Sequence, residues 1–245
     1  MVRGPGRSLL GGGGDGQTYL QKLLAIDSAN LIALWPLSET SGTNADDKSL
    51  EGNDGTYTGV TLAATTFKNG DPAPQFDGAN DFLDIYSAGF NADFNPAEFT
   101  LALWVKFASL SVWTDSTARH LAILRADASN RIFMQRTAVD NTIDISYRAG
   151  GTINNVSFTD AGGNTDWFHL AVTVSATADE LKAYYNFAQI GATQTTLDTW
   201  VGALNSTRTL LGAGTQGGSV LDGYMAYAAL WKTPLTAEQI AQMAV

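Results

Sequence analysis

The run Phe99-Thr100-Leu101-Ala102-Leu103-Trp104-Val105-Lys106-Phe107 decides the fold class. Its odd positions are all large and apolar, while Thr, Ala, Trp and Lys fill the even ones. Successive side chains of a strand point to opposite faces, so this period of two marks a strand with one face on a core. Working outward, Phe168, Leu170, Val172 and Val174 alternate with His169, Ala171, Thr173 and Ser175, and Ile143, Ile145 and Tyr147 repeat the pattern. Further apolar runs lie at 31–37, 82–86, 121–125, 131–135, 181–187, 210–211 and 224–231. Turn-forming pairs separate them, among them Asp77-Gly78, Gly150-Gly151 and Gly217-Gly218. Many short strands with no helices between them predict an all-β, antiparallel β-sandwich over residues 31–245.

Helical patterning is confined to the two ends. Tyr19, Leu20, Leu23, Leu24 and Ile26 recur at spacings of three and four, and Thr18 with Gln21 can form a capping box, so a short helix is expected there. Thr236 with Gln239, followed by Ile240 and Met243, predicts a short closing helix. Residues 1–16, MVRGPGRSLLGGGGDG, are a glycine-rich arm. Leu9-Leu10 is too short an apolar run for a signal peptide, and the Lys-Ser/Thr that a P-loop needs does not follow the glycines. A segment with few side chains to pack stays still only when a partner grips it. Residues 1–30 are therefore expected to be an arm and docking helix. Arg3, Arg7, Leu9, Leu10, Tyr19 and Leu23 would contact protein subunits of a larger assembly, including further copies of this chain in a homo-oligomer.

Composition narrows the function classes. The 245 residues carry 14 Lys and Arg against 24 Asp and Glu, a net charge of −10, which argues against a nucleic-acid partner. No run of apolar residues is long enough to span a bilayer, so no membrane insertion is expected. The absence of cysteine excludes disulfides, thiolate metal sites and a Cys nucleophile. Only His120 and His169 are available as imidazole bases or ligands.

Several segments, taken in order, resemble the laminin-G-like domains of the concanavalin-A-like lectin/glucanase superfamily. Ala33-Leu34-Trp35-Pro36-Leu37-Ser38-Glu39 with Ser41-Gly42-Thr43 is similar to the opening strand and turn, and Asp46-Asp47 with Gly52-Asn53-Asp54-Gly55-Thr56 to the Asp-rich loop. Phe76-Asp77-Gly78 with Asp81-Phe82-Leu83, the strand from Phe99 to Lys106, and Trp167-Phe168-His169-Leu170-Ala171-Val172 follow. Leu211-Gly212, Asp222-Gly223, Trp231 and Leu235-Thr236-Ala237-Glu238-Gln239-Ile240 resemble the closing segment. The resemblance implies a jelly-roll sandwich. It does not imply one function, because this fold hosts glycosidases, lectins and structural modules.

Glycosidases of the superfamily use closely spaced carboxylates on one strand, and retaining hydrolysis needs the pair about 5 Å apart. The five glutamates, Glu39, Glu51, Glu98, Glu180 and Glu238, have no acidic residue two positions away in a strand, and Asp140 and Asp144 are out of register. No Gly-x-Ser-x-Gly elbow accompanies the histidines, and His169 reads as a structural residue of its strand. An enzyme is therefore not expected. The resemblance implies a structural calcium ion held by Asp46, Asn53 and Asp222, although Ala226 and Tyr227 replace two acidic positions of the family's closing strand. Trp104, Trp167 and Trp231 are expected to fill the sandwich core. Asn186-Phe187 replaces the family's Asn-Gly turn, and a bulky residue resists positive φ, so a lengthened hairpin is expected. Trp113 and Trp200 lie among polar, loop-type residues and are the candidates for stacking on a surface glycan. Two functions stay open: a structural or adhesion subunit on the surface of a virion or similar particle, anchored by its arm, and a free glycan-binding module.

Overall fold

The alternating runs form two stacked antiparallel sheets. A computed structural model describes residues 17–160 and 163–245. Helix α1 (Tyr19–Ala25) leads into β1 (Leu31–Trp35) and the short strands β2 (Asn44–Ala45) and β3 (Gly55–Thr58). β4 (Thr61–Thr66), β5 (Pro72–Asp77) and β6 (Phe82–Asp84) precede α2 (Ala88–Asp93). β7 (Glu98–Phe107) and the single turn α3 (Ser111–Thr114) are followed by β8 (Arg119–Arg125), β9 (Arg131–Arg136), β10 (Thr142–Ala149) and β11 (Thr152–Thr159). β12 (Phe168–Ser175), β13 (Glu180–Tyr185), β14 (Ala188–Gln194), β15 (Thr209–Leu211), β16 (Asp222–Trp231) and α4 (Ala237–Ala241) follow.

The first sheet has the order β14-β13-β12-β7-β16-β5-β4, with β1 also paired to β16; the second runs β11-β10-β9-β8-β15-β6-β3-β2. Between them lies the core. Phe99, Leu101, Leu103, Val105 and Phe107 of β7 point into it, as do Leu170, Val172 and Val174 of β12. Their register, Leu103 opposite Leu170 and Leu101 opposite Val172, stacks large side chains in cross-strand pairs.

The even positions of β7 from Thr100 to Trp104 face away from this core and are nevertheless buried. Ala102, Ala171, Ala226 and Ala229 leave a shallow surface onto which α1 and the α4 segment pack, and Trp104, Trp167, Trp231 and Tyr227 fill the space around them. The Tyr19 hydroxyl donates to Met243 O at 2.7 Å and accepts from Trp104 Nε1 at 2.8 Å. Trp231 Nε1 donates to Ile26 O at 2.8 Å. Two expectations are corrected here. Tyr19 and Leu23 are not contacts for another subunit: they are buried against their own chain, because the alanine-rich sheet face needs a cover. Trp104, Trp167 and Trp231 are buried as expected, but in this outer layer rather than between the sheets. Arg3, Arg7, Leu9 and Leu10 lie outside the described residues.

The hairpin joining β13 to β14 is not lengthened. Tyr185 pairs with Ala188, and Asn186 and Phe187 alone make the turn, with φ of 46° and 71°. A side chain in the left-handed region costs about 1–2 kcal/mol. Phe187 offsets this by stacking on His169 at 4.7 Å and packing edge-on to Trp104 at 5.5 Å. Burial, with the charge of Lys68 adding to it, pushes the His169 imidazole down to about 3, so it is neutral and structural at neutral pH.

Candidate functional site

Among the described residues, no helix covers the outer face of the second sheet where β8, β9 and β10 run side by side. Leu124 of β8, Ile132 and Met134 of β9, and Ile143, Ile145 and Tyr147 of β10 point into the core, so the residues between them face outward. Strand register aligns those residues in rows. Arg125, Arg131 and Arg148 form one row, continued by Ile153. Ile123, Phe133, Ser146 and Asn155 form the next. His120, Gln135, Asp144 and Ser157 form the third, in which Ser157 Oγ donates to Asp144 Oδ1 at 2.6 Å.

The turn after β15 folds over one side of this face. Gly212 N donates to Leu121 O at 2.9 Å and His120 N to Ser219 O at 2.8 Å, which pins the turn to β8. A cavity of about 360 Å³ lies between them, lined by His120, Arg125, Arg131, Phe133, Gln135 and Arg208 with Gly214, Thr215 and Ser219 of the turn. Phe133 is its half-buried floor. The His120 ring meets Phe133 edge-on at 5.4 Å, and the Arg131 guanidinium lies 5.7 Å from the Phe133 centroid, within cation–π range. Gly214 is held close to His120, where a Cβ would come within 2.6 Å of Nδ1. Burial, reinforced by the charge of Arg131, pushes His120 down to about 4, so the imidazole is neutral at pH 7.

Charge is distributed unevenly around this cavity. Asp115 is shared by Arg119 at 2.5 Å and Arg136 at 3.1 Å, and Arg136 also reaches Asp140 at 3.8 Å. Arg125, Arg131, Arg148 and Arg208 form no ion pair among the described residues. Arg125 Nε donates to Asp127 O, and Arg148 to Gly151 O and Ala128 O. Arg131 Nε and His120 Nδ1 are buried without a hydrogen-bond partner among the described residues. Of those residues, neither Asp nor Glu lines the cavity.

The residues singled out from sequence lie elsewhere and do not converge. Trp113 sits in α3, fully buried, its ring edge-on to Phe107 at 4.7 Å and its Nε1 donating to Asn164 O at 2.7 Å. Trp200 is stacked on Tyr147 at 5.9 Å and donates to Gly202 O. Neither indole presents a face to solvent, so the expectation that they stack on sugars is corrected: the apolar ring of each caps an end of the core. Asp46 is engaged by Lys48 and Asn44, with Lys48 holding its carboxyl below the usual range. Asn53 points inward, donating to Ile32 O and Asp93 and accepting from Ser87. Asp222 packs beside Gly78 in the β5–β16 ladder, and burial raises its carboxyl. Asp47 organises the 44–54 loop, accepting from the backbone of Leu34, Ser49 and Asn53. The donors expected for calcium are thus spent on protein groups or buried, and among the described residues no three carboxylate or imidazole side chains come together. This donor set does not fit a calcium site.

A laminin-G-type family model, described as the concanavalin A-like lectin/glucanases superfamily, matches residues 54–241. The chain belongs to that superfamily. Comparison with curated protein sequences finds no match. Among solved structures, domain 4 of AbnA, a GH43 extracellular arabinanase from Geobacillus stearothermophilus, in complex with arabinotriose, superposes with a TM-score of 0.64 at 17% identity. That match covers 88% of this chain and 98% of the domain. The binding domain of Paraclostridial Mosquitocidal Protein 1 gives a TM-score of 0.65 at 13% identity, covering 88% of this chain and 52% of the other. Trypanosoma rangeli sialidase in complex with sialic acid gives 0.63 at 12% identity, over 89% of this chain and 33% of the enzyme. This chain spans about half the length of the toxin binding domains it matches. At these identities the likeness is one of fold.

The cavity around Phe133 includes neither Trp113, Trp200 nor a residue of the Asp-rich loop. No helix among the described residues is long and apolar enough to cross a membrane.

Proposed function

We propose that this chain is a non-catalytic carbohydrate-binding module whose ligand docks in the Phe133 cavity. One observation carries the reading: a half-buried aromatic ring on an uncovered sheet face, flanked by the amide of Gln135 and the guanidinium groups of Arg125 and Arg131. A sugar offers an apolar ring face and a rim of hydroxyls, so an aromatic floor with donors at its edge is the complementary surface. The superfamily and the arabinotriose and sialic acid complexes of its structural neighbours support the class of ligand. The usual hydrolysis of a glycoside uses a pair of carboxyl groups, and the described residues lining this cavity supply none.

The test is a glycan array on the full chain, followed by Phe133→Ala. Binding by the wild type that is lost in the variant, with cooperative unfolding retained, is expected. A glycan that binds equally well to Phe133→Ala places the site elsewhere and overturns the reading. The alternative of a particle-borne subunit draws on the composition of residues 1–16, and the burial of Tyr19 and Leu23 removes two of its contact residues. Deletion of residues 1–16 tests it, with incorporation into a virion as the readout.

A further inference from the structure

We propose that the ligand of the Phe133 cavity is anionic, a sugar bearing a carboxylate or sulfate group, held by Arg131 with Arg125 and Arg208. The inference rests on the carbohydrate-binding reading and deepens it.

Charge is concentrated here against the balance of the whole chain. There are ten more acidic than basic side chains, yet of the four arginines without ion pairs among the described residues three, Arg125, Arg131 and Arg148, line up on one sheet face, and Arg208, just before β15, lines the same cavity as Arg125 and Arg131. Acidic residues are abundant enough to neutralise them, as Asp115 does for Arg119 and Arg136. Like charges in neighbouring strands oppose one another: burial and the charges of Arg125 and Arg148 all weaken the hold of Arg131 on its proton. Such an arrangement gains from an external anion that relieves the repulsion.

Unused hydrogen-bond donors point the same way. A guanidinium presents five donors in a planar fork that matches an oxyanion in two parallel bonds. Arg131 spends none of its side-chain donors on a protein acceptor among the described residues, and its Nε is buried without a partner there. A buried donor left unpaired costs about 1–3 kcal/mol, and the remaining donors of the same guanidinium, at the cavity lining, are those a bound oxyanion would engage. Phe133 beside it supplies the apolar half of the site, so the cavity combines an anion clamp with a stacking floor. A nucleic acid would need a basic track along many phosphates, and the acidic balance of the remaining chain opposes that.

The experiment titrates the full chain, by calorimetry or chemical-shift perturbation, with three matched oligosaccharides: neutral, uronic-acid-bearing and sulfated. Inorganic sulfate alone is a fourth arm. One or both anionic sugars should bind about tenfold tighter than the neutral one, as one charge-assisted pair would give. That preference should shrink between about 50 and 300 mM salt. Arg131→Gln should weaken the anionic sugars far more than the neutral one, so that the preference is lost, and Arg131→Lys should restore the preference only in part, since lysine lacks the fork. Neither variant should melt below the wild type, because Arg131→Gln relieves the repulsion from Arg125 and Arg148 and Arg131→Lys keeps the charge. Equal affinity for neutral and anionic sugars overturns this inference and leaves the carbohydrate reading standing. Binding of no sugar overturns both. Sulfate alone binding as tightly as the sulfated sugar overturns the sugar requirement.

Discussion

The outer face of the first sheet buries Trp104, Tyr227 and Trp231 beneath α1 and the α4 segment, whereas the outer face of the second leaves Arg131, Phe133 and Gln135 half-exposed. Burial along the strands records the contrast: every residue of β12 is buried, while β9 alternates buried and half-buried. A sheet whose two faces both carry apolar residues must be covered twice. Once α1 and the α4 segment cover the middle of the first sheet, its side chains there are committed to packing, whereas the outward side chains of β9 are not.

The sharpest way to break this contrast is to truncate one aromatic residue on each face. Trp104→Ala should cost about 3–5 kcal/mol in urea denaturation, because the indole is fully enclosed and its loss leaves a cavity. Phe133→Ala, on the open face, should cost less than about half of that while abolishing glycan binding. Equal costs would mean that α1 does not seal the first face. Tyr19→Phe should cost about 1–3 kcal/mol, since it leaves Met243 O without its donor and Trp104 Nε1 without its acceptor.

Acid sharpens the contrast further. His169 on the covered face and His120 on the open face both titrate below the ordinary imidazole value of 6.5, at about 3 and about 4. Above pH 6.5 both are neutral in the folded and unfolded chain, so they do not affect stability. Below it the unfolded chain takes up protons that the folded chain refuses, and stability falls toward pH 4 and then 3. Each contributes a slope of at most about 1.4 kcal/mol per pH unit. His169→Gln should flatten the decline measured from urea midpoints between pH 7 and 4; an unchanged slope would exclude His169 as a source. The smallest effect is expected for Phe187→Gly. Relief of positive φ and loss of the stack on His169 should nearly cancel, within about 1 kcal/mol.

Much of the architecture can be read from alternation. The odd positions of 99–107 do face the core, and both capping boxes, Thr18 with Gln21 and Thr236 with Gln239, are present. Less legible is which layer a strand's second set of residues meets. Trp104 reads as core filling because periodicity reports burial and not the layer that provides it. The site escapes sequence reasoning for a related reason. Trp113 and Trp200 stand out as aromatic residues among polar neighbours, yet polar neighbours only reflect the loops that run over them. Arg131-Ile132-Phe133-Met134-Gln135 carries the usable signal: with Ile132 and Met134 turned inward, an arginine, an aromatic ring and an amide must share the outer face. The alignment of Arg125, Arg131 and Arg148 depends on strand register, which no single segment specifies.

The Tyr19 hydroxyl, bonded at once to Met243 O and Trp104 Nε1, gathers both ends of the described chain on one side of the sandwich. The Phe133 cavity opens on the opposite side. A label, bead or fused protein joined at the C-terminus would therefore sit behind the molecule, leaving the Phe133 cavity clear, and no long spacer would be needed to display it.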